Sequence, residues 1–195
     1  MNILFIDCET TGLDPDTHSI IEIACEHHKD GVCVSKFNRK FINRQPILAL
    51  DALKVNKQNI KSLLEIGKAC SEDQAVYDFV DYLLSLDNKD LHICGHNVHF
   101  DVGFVKALLK KYSIEGWDKA VSYRHIDTCD RAKMLIETGI IPLDAIGMRG
   151  AGLTNIAKAL GVEVDEKLTH GAEYDTNLCA RVFYKMNEVL RNHRG

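Results

Sequence analysis

Residues 5–14 read FIDCETTGLD, an apolar run that ends in two carboxylates, Asp7 and Glu9, ahead of a Thr-Thr-Gly turn. Side chains alternate across a strand, so acids spaced by two lie on one face. Two further carboxylates stand where core is expected. On a helix predicted from about Phe100 to Lys111, the apolar stripe is Val105, Leu108, Leu109 and Tyr112, and Asp101 is at its head. On a helix predicted from about Ala172 to Leu190, the stripe is Leu178, Val182, Met186 and Val189, and Asp175 precedes it on the same face. A carboxylate on a core-facing stripe is costly unless it is paired or bound to metal. Each acid also has a plain reading. Asp101 and Asp175 fall in first helical turns, where the helix dipole favours negative charge, and an exposed strand end would accommodate Asp7 and Glu9. Taken jointly, four carboxylates converging on one sheet end repel one another without cations. An oxygen-only donor set favours Mg²⁺ or Mn²⁺ over zinc.

The elements that must position these acids follow from pattern. Asn2–Cys8 is nearly all apolar, as expected of a central strand buried on both faces. Ile20–Cys25 and Val32–Ile42 are the next two strands, the latter with an expected break near Asn38. Asp30-Gly31 between them reads as a two-residue hairpin turn, which makes that pair antiparallel. A short helix is expected at 51–55. Ser71-Glu72-Asp73-Gln74 has the form of a capping box ahead of a helix that carries Val76, Phe79, Val80, Leu83 and Leu84. Leu91–Cys94 and Arg124–Asp127 read as strands, with Thr128 as the expected cap of the helix that follows. Residues 140–152 read as a loop and Leu153–Leu160 as a short helix. Three strands with a hairpin, then alternating helix and strand, predict an α/β fold. Its mixed five-stranded sheet is antiparallel in the first three strands, then parallel, with helices on both faces.

The 195 residues fit a single domain, 1–195, with a core large enough to fold unaided. Apolar content of 46% and charged content of 27% are ordinary for a globular chain. No signal peptide and no membrane-length apolar run is read, so no membrane partner is expected. Cysteines at 8, 25, 33, 70, 94, 129 and 179 contain no CxxC pair and read as reduced thiols, which points to a cytoplasmic setting. The formal charge of −4 excludes a basic nucleic-acid binder by bulk electrostatics. A polyanionic ligand must then be held by a local basic patch or through bound metal.

Three motifs in order give the chain a family resemblance. They are Asp7-Cys8-Glu9-Thr10-Thr11-Gly12-Leu13, Gly95-His96-Asn97-Val98-His99-Phe100-Asp101, and His170-Gly171-Ala172-Glu173-Tyr174-Asp175. With IIEIA at 20–24, they resemble the DnaQ-like, or DEDDh, 3′–5′ exonucleases of the RNase H-like superfamily. In the tyrosine-bearing subfamily, a Tyr stands four residues before the last Asp. Gly171 holds that place here, while His170 matches the histidine version.

The resemblance implies phosphodiester hydrolysis at the 3′ end of a single-stranded DNA or RNA, with release of nucleoside 5′-monophosphates. Two Mg²⁺ or Mn²⁺ ions would be held by Asp7, Glu9, Asp101 and Asp175, clamping the attacking and leaving oxygens. Two such ions also offset the formal charge of −4. His170 would be the general base, with an ordinary pKa near ~6.5 suited to proton transfer at neutral pH. Thr10 and Thr11 occupy the place whose backbone holds the terminal nucleotide. Leu13 is either a wedge against the terminal base or packed under its loop. Asn97 is expected to support the loop that carries Asp101. Asp51 and Asn56 match a segment that lines the nucleotide pocket, although Lys57-Gln58 stands where Gly-Ile is usual.

Several other residues have competing readings. His96 and His99 read as structural or solvent-facing. Lys110-Lys111 and Arg39-Lys40 are phosphate contacts or a solvated face. Association with a polymerase, or self-association, fits such a chain. The alternative of another class is a non-catalytic nucleic-acid-binding module that keeps the fold. A phosphatase using Asp7 as nucleophile would leave the second and third motifs without a role.

Overall fold

The computed structural model describes residues 1–42, 47–49, 54, 69–86, 90–122, 124–142 and 150–193. The expected helix at 51–55 lies outside them except for Lys54, as do Asp51, Asn56 and residues 143–149 of the expected loop. The first apolar run forms β1, Asn2–Thr10, followed by β2, Ile20–Lys29, and β3, Val32–Ile42. Asp30 and Gly31 join β2 to β3 with φ values of 49° and 88°. This is the left-handed pair that a two-residue turn needs to match strand twist. β3 runs through Asn38 without a break; its irregularity comes earlier, at Val34, the extra residue opposite the His27–His28 step of β2. The remaining strands are β4, Cys70–Ser71, β5, Leu91–Gly95, and β6, Ile126–Asp127. The sheet order is β4-β3-β2-β1-β5-β6. β1, β2 and β3 are antiparallel neighbours, and β5 and β6 continue in parallel. The five expected strands are present, and β4 adds a sixth, parallel to the end of β3.

β1 is covered on both faces. Leu4, Ile6 and Cys8 pack into the core formed with α1, Glu72–Ser85, and α2, Val98–Lys111. Ile3 and Phe5 point the other way, against Cys179, Ala180 and Phe183 of α6, Ala172–Asn192. Burying each such side chain contributes about 1.5–3 kcal/mol. Period two carries the Ile3–Phe5 face on to Asp7 and Glu9, so both acids face α6 where the apolar pairing ends. α3, Trp117–Ala120, α4, Thr128–Glu137, and α5, Leu153–Ala159, complete the described helices. α4, α5 and the far side of α6 share a further core around Leu135, Ile156 and Met186.

Two expected caps are corrected. Ser71 stands at the N-cap of α1 but makes no side-chain capping bond. Glu72 is buried instead, and its Oε1 takes the Lys111 ammonium and the Tyr112 hydroxyl. At α4 the cap is Asp127, not Thr128: its carboxylate accepts from the N–H groups of Cys129 and Asp130. The same carboxylate accepts from the N–H of Asn97 at 3.1 Å and of Val98 at 2.9 Å. One side chain thus satisfies orphan donors at the starts of both α2 and α4.

Candidate active site

Asp7, Glu9 and Asp175 each offer a carboxylate oxygen, and the three oxygens lie within 4.8 Å of one another. β1 supplies the first two and the first turn of α6 the third. Thr176 Oγ1 bonds the carbonyl of Ala24 on β2 at 3.3 Å, fastening that turn to the sheet. Asp101 enters from α2. It is 3% exposed, and its Oδ1 accepts from the N–H of Cys8, between the two β1 acids, at 2.8 Å. Its carboxylate thus ties the first turn of its own helix to the neighbouring strand.

The four acids strain against one another electrostatically. Burial, then the charges of Asp101, Asp175 and Glu9, hold the Asp7 pKa well above the usual carboxylate range. Burial pushes Glu9 up to about 8, helped by Asp175, Glu22 and Asp101 and opposed by Lys40. Burial likewise pushes Asp101 up to about 8, against the pull of the Cys8 N–H. Such a cluster binds either protons or cations. Its donors are all oxygen, which fits hard divalent ions such as Mg²⁺ and Mn²⁺.

His170 lies at the lip of this cluster. It shares with Asp7, Asp175, His96 and Lys158 the lining of a cleft of about 490 Å³. Its φ is 64°, a left-handed conformation that costs a non-glycine residue about 1–3 kcal/mol. That turn aims its backbone N–H at Asp175 Oδ2, 3.0 Å away. His96 is structural, as one of its two readings had it. Its ring nitrogens reach Thr128 Oγ1 at 2.9 Å and the Ala151 carbonyl at 2.8 Å, and burial lowers its pKa. His99 is exposed beside His125.

Beyond Glu9 the chain makes a tight loop. Thr10 Oγ1 donates to the Gly12 carbonyl at 2.6 Å, and Thr11 Oγ1 accepts from the Ser19 N–H at 2.9 Å. Both threonine side chains are thus turned into the loop, and the Thr11 carbonyl accepts from the Ala49 N–H. A Cβ on Gly12 would fall 2.1–2.4 Å from the His18 ring, so only glycine fits under it. Leu13 is 80% exposed and is not packed beneath the loop. Asn97 is exposed, with φ 67°, and its backbone is held by Asp127.

The charged candidates are mostly engaged in ion pairs: Arg39 with Asp78, Lys40 with Glu22 and Lys111 with Glu72, while Lys110 is exposed. Three features escaped sequence reasoning. Asp127 spans two helix starts, Glu22 lies beside Glu9, and Lys158 pairs with Glu166 in the cleft. The first two depend on sheet pairing and the third on a loop return, none of which leaves a local pattern.

The chain is similar to several known proteins. The family model RNase_T, described as an exonuclease, matches residues 4–183. A PolC-type DNA polymerase III of Thermotoga petrophila is 26% identical over 191 residues, covering 95% of this chain and 12% of that protein. The 3′-5′ exonuclease DinG of Bacillus subtilis is 28% identical over 189 residues, covering 95% of this chain and 18% of that protein. The chain therefore spans less than a fifth of these relatives. Among solved structures, E. coli exonuclease I in complex with a dT13 oligonucleotide superposes with a TM-score of 0.74 at 15% identity, covering 96% of this chain and 41% of that one. Its zinc-bound complex with ssDNA gives 0.71 at 16%, covering 100% and 43%. These structures share the fold. Among the described residues no helix is long and apolar enough to cross a membrane.

Proposed function

The chain belongs to the RNase_T exonuclease family, and from that premise we propose that it is a metal-dependent 3′–5′ exonuclease. It removes nucleoside 5′-monophosphates one at a time from the 3′ end of single-stranded DNA or RNA. The observation that carries this reading is the convergence of Asp7, Glu9 and Asp175 within 4.8 Å, with buried Asp101 tied to Cys8 and His170 on the same cleft. Two divalent cations, Mg²⁺ or Mn²⁺, neutralise this cluster when bound and stabilise charge on the attacking and leaving oxygens. Asp7, Glu9, Asp101 and Asp175 hold them. His170, on the lining of the same cleft, accepts the proton of the attacking water as the new P–O bond forms and the P–O3′ bond breaks. The loop at Thr10 and Thr11 receives the terminal nucleotide on its backbone, since its side chains are already bonded within the loop. Exposed Leu13 wedges against the terminal base. The resemblance to a segment of PolC-type polymerases supports a working partnership with a polymerase, and reduced thiols support a cytoplasmic setting.

The test is a digestion panel of 5′-labelled single-stranded DNA and RNA of matched sequence, with Mn²⁺ or Mg²⁺. A ladder of 5′-labelled products shortened stepwise is expected, and Asp7→Asn abolishes it. Cation binding without shortening would assign the chain to a non-catalytic binding module, and equal shortening by Asp7→Asn would remove the cluster from the chemistry.

A further inference from the structure

Glu22 stands directly opposite Glu9 in the β1–β2 ladder, and Lys40 stands directly opposite Glu22 in the β2–β3 ladder. Opposed side chains in antiparallel strands have Cβ atoms about 4.5–5.5 Å apart, and like charges so placed are destabilising. The Asp7 rung differs: its β2 partner is Ala24, which adds no charge. Glu22 is 1% exposed, and its Oε2 lies 3.3 Å from Lys40 Nζ. Glu26, two pleat repeats further along the same face, is served by Lys36 at 2.6 Å and by Asn177 of α6. Its rung ends on Phe5, so it does not abut the acid cluster.

A buried charge beside Glu9 would be redundant if its only task were packing, because an apolar residue fills that space without repulsion. Building on the reading of Asp7, Glu9, Asp101 and Asp175 as cation ligands, we propose that Glu22 and Lys40 are a charge-setting pair for that site. Glu22 deepens the negative potential at Glu9 that draws a divalent ion in, and Lys40 limits it; both act through Glu9 and are positioning residues. The inner member is shielded from water and the outer one, with 41% of its side chain exposed, is screened. Glu22 therefore has the larger effect.

The experiment is direct Mn²⁺ binding to the full chain at pH 8, read by the electron paramagnetic resonance of free Mn²⁺. Glu22→Gln is expected to raise Kd by about tenfold and Lys40→Gln to lower it by about threefold, the order set by one charge a few ångströms from a divalent ion in a partly screened site. The double variant returns to within about threefold of wild type. Glu22→Asp, which keeps the charge, guards against a folding defect and stays near wild type. A packing role predicts that both single variants weaken binding together. That outcome, or no shift in either, overturns the pair. Asp7→Asn is carried in parallel. If it binds Mn²⁺ like wild type, the ligand assignment itself fails, whereas lost binding there with parallel shifts in the pair removes only the present inference.

Discussion

Replacing Glu9 by Gln should stabilise the protein when no divalent ion is present. In the folded protein Glu9 titrates at about 8 instead of 4.5, chiefly because of burial and secondly because of Asp175. The sign follows from where each state gives up its proton. Below about pH 4.5 the group is neutral in both states and contributes nothing. Between about 4.5 and 8 the unfolded chain ionises while the folded site holds its proton, so stability is lost as pH rises through this window, and above it the loss is constant. At about 1.4 kcal/mol per pKa unit the whole shift amounts to about 5 kcal/mol. Glu9 is only partly buried, so solvent screening reduces this to about 2 kcal/mol. For a chain of this size that is about 4–8 °C in Tm. Thermal melts in chelator at pH 8.5 should therefore place Glu9→Gln above wild type by that amount, and the gap should close at pH 5. Adding Mn²⁺ should raise the wild-type Tm more than the variant's, because the ion binds the intact cluster better. A variant that melts at or below wild type at pH 8.5, or a gap that ignores pH, would refute the account of the cluster as a set of mutually repelling acids.

Other outcomes can be checked alongside. His170→Ala should lower kcat by about 10²–10⁴-fold in a single-turnover digestion while leaving the Kd for Mn²⁺ near wild type; loss of metal binding instead would make the residue structural. Gly12→Ala should raise KM for a single-stranded substrate and lower Tm, since the added Cβ displaces the His18 ring, and a crystal structure with that ring unmoved would count against the seat. Asp127→Ala should cost about 2–4 kcal/mol in urea unfolding, because it uncaps two helices at once; a loss below 1 kcal/mol would mean that water replaces it. Leu13→Ala should leave Tm unchanged, as the side chain is 80% exposed, and should slow removal of the terminal nucleotide in a stopped-flow assay.

How far these features were legible depended on how local their cause was. β1 and its two acids were plain, because an apolar run that turns acidic with period two has few other meanings. Asp175 and Asp101 were visible as acids on apolar stripes, and the three motifs ordered them. The roles of other residues were not visible. Glu72 sits in a sequence that reads as a capping box, yet its carboxylate finds Lys111 and Tyr112, about forty positions on, because α1 and α2 pack side by side. Thr128 looked like a cap because it precedes the helix, but the residue before it, Asp127, is aimed at two helices and out-competes it. Glu22 was visible only as the acid within IIEIA, and its place opposite Glu9 comes from strand register. β4 is two residues long, too short for any periodicity to show.

The four acids of the candidate site, residues 7, 9, 101 and 175, are contributed by β1, α2 and α6. β1 lies inside the sheet, and α6, which closes over it, lies about 160 positions further along the chain. The site therefore has a high contact order and cannot exist in an incomplete chain. A nascent chain still short of Ala172 carries Asp7, Glu9 and Asp101 but lacks Asp175, so the three-carboxylate cluster cannot yet close. Assembly of the acid cluster thus waits until α6 has docked on β1.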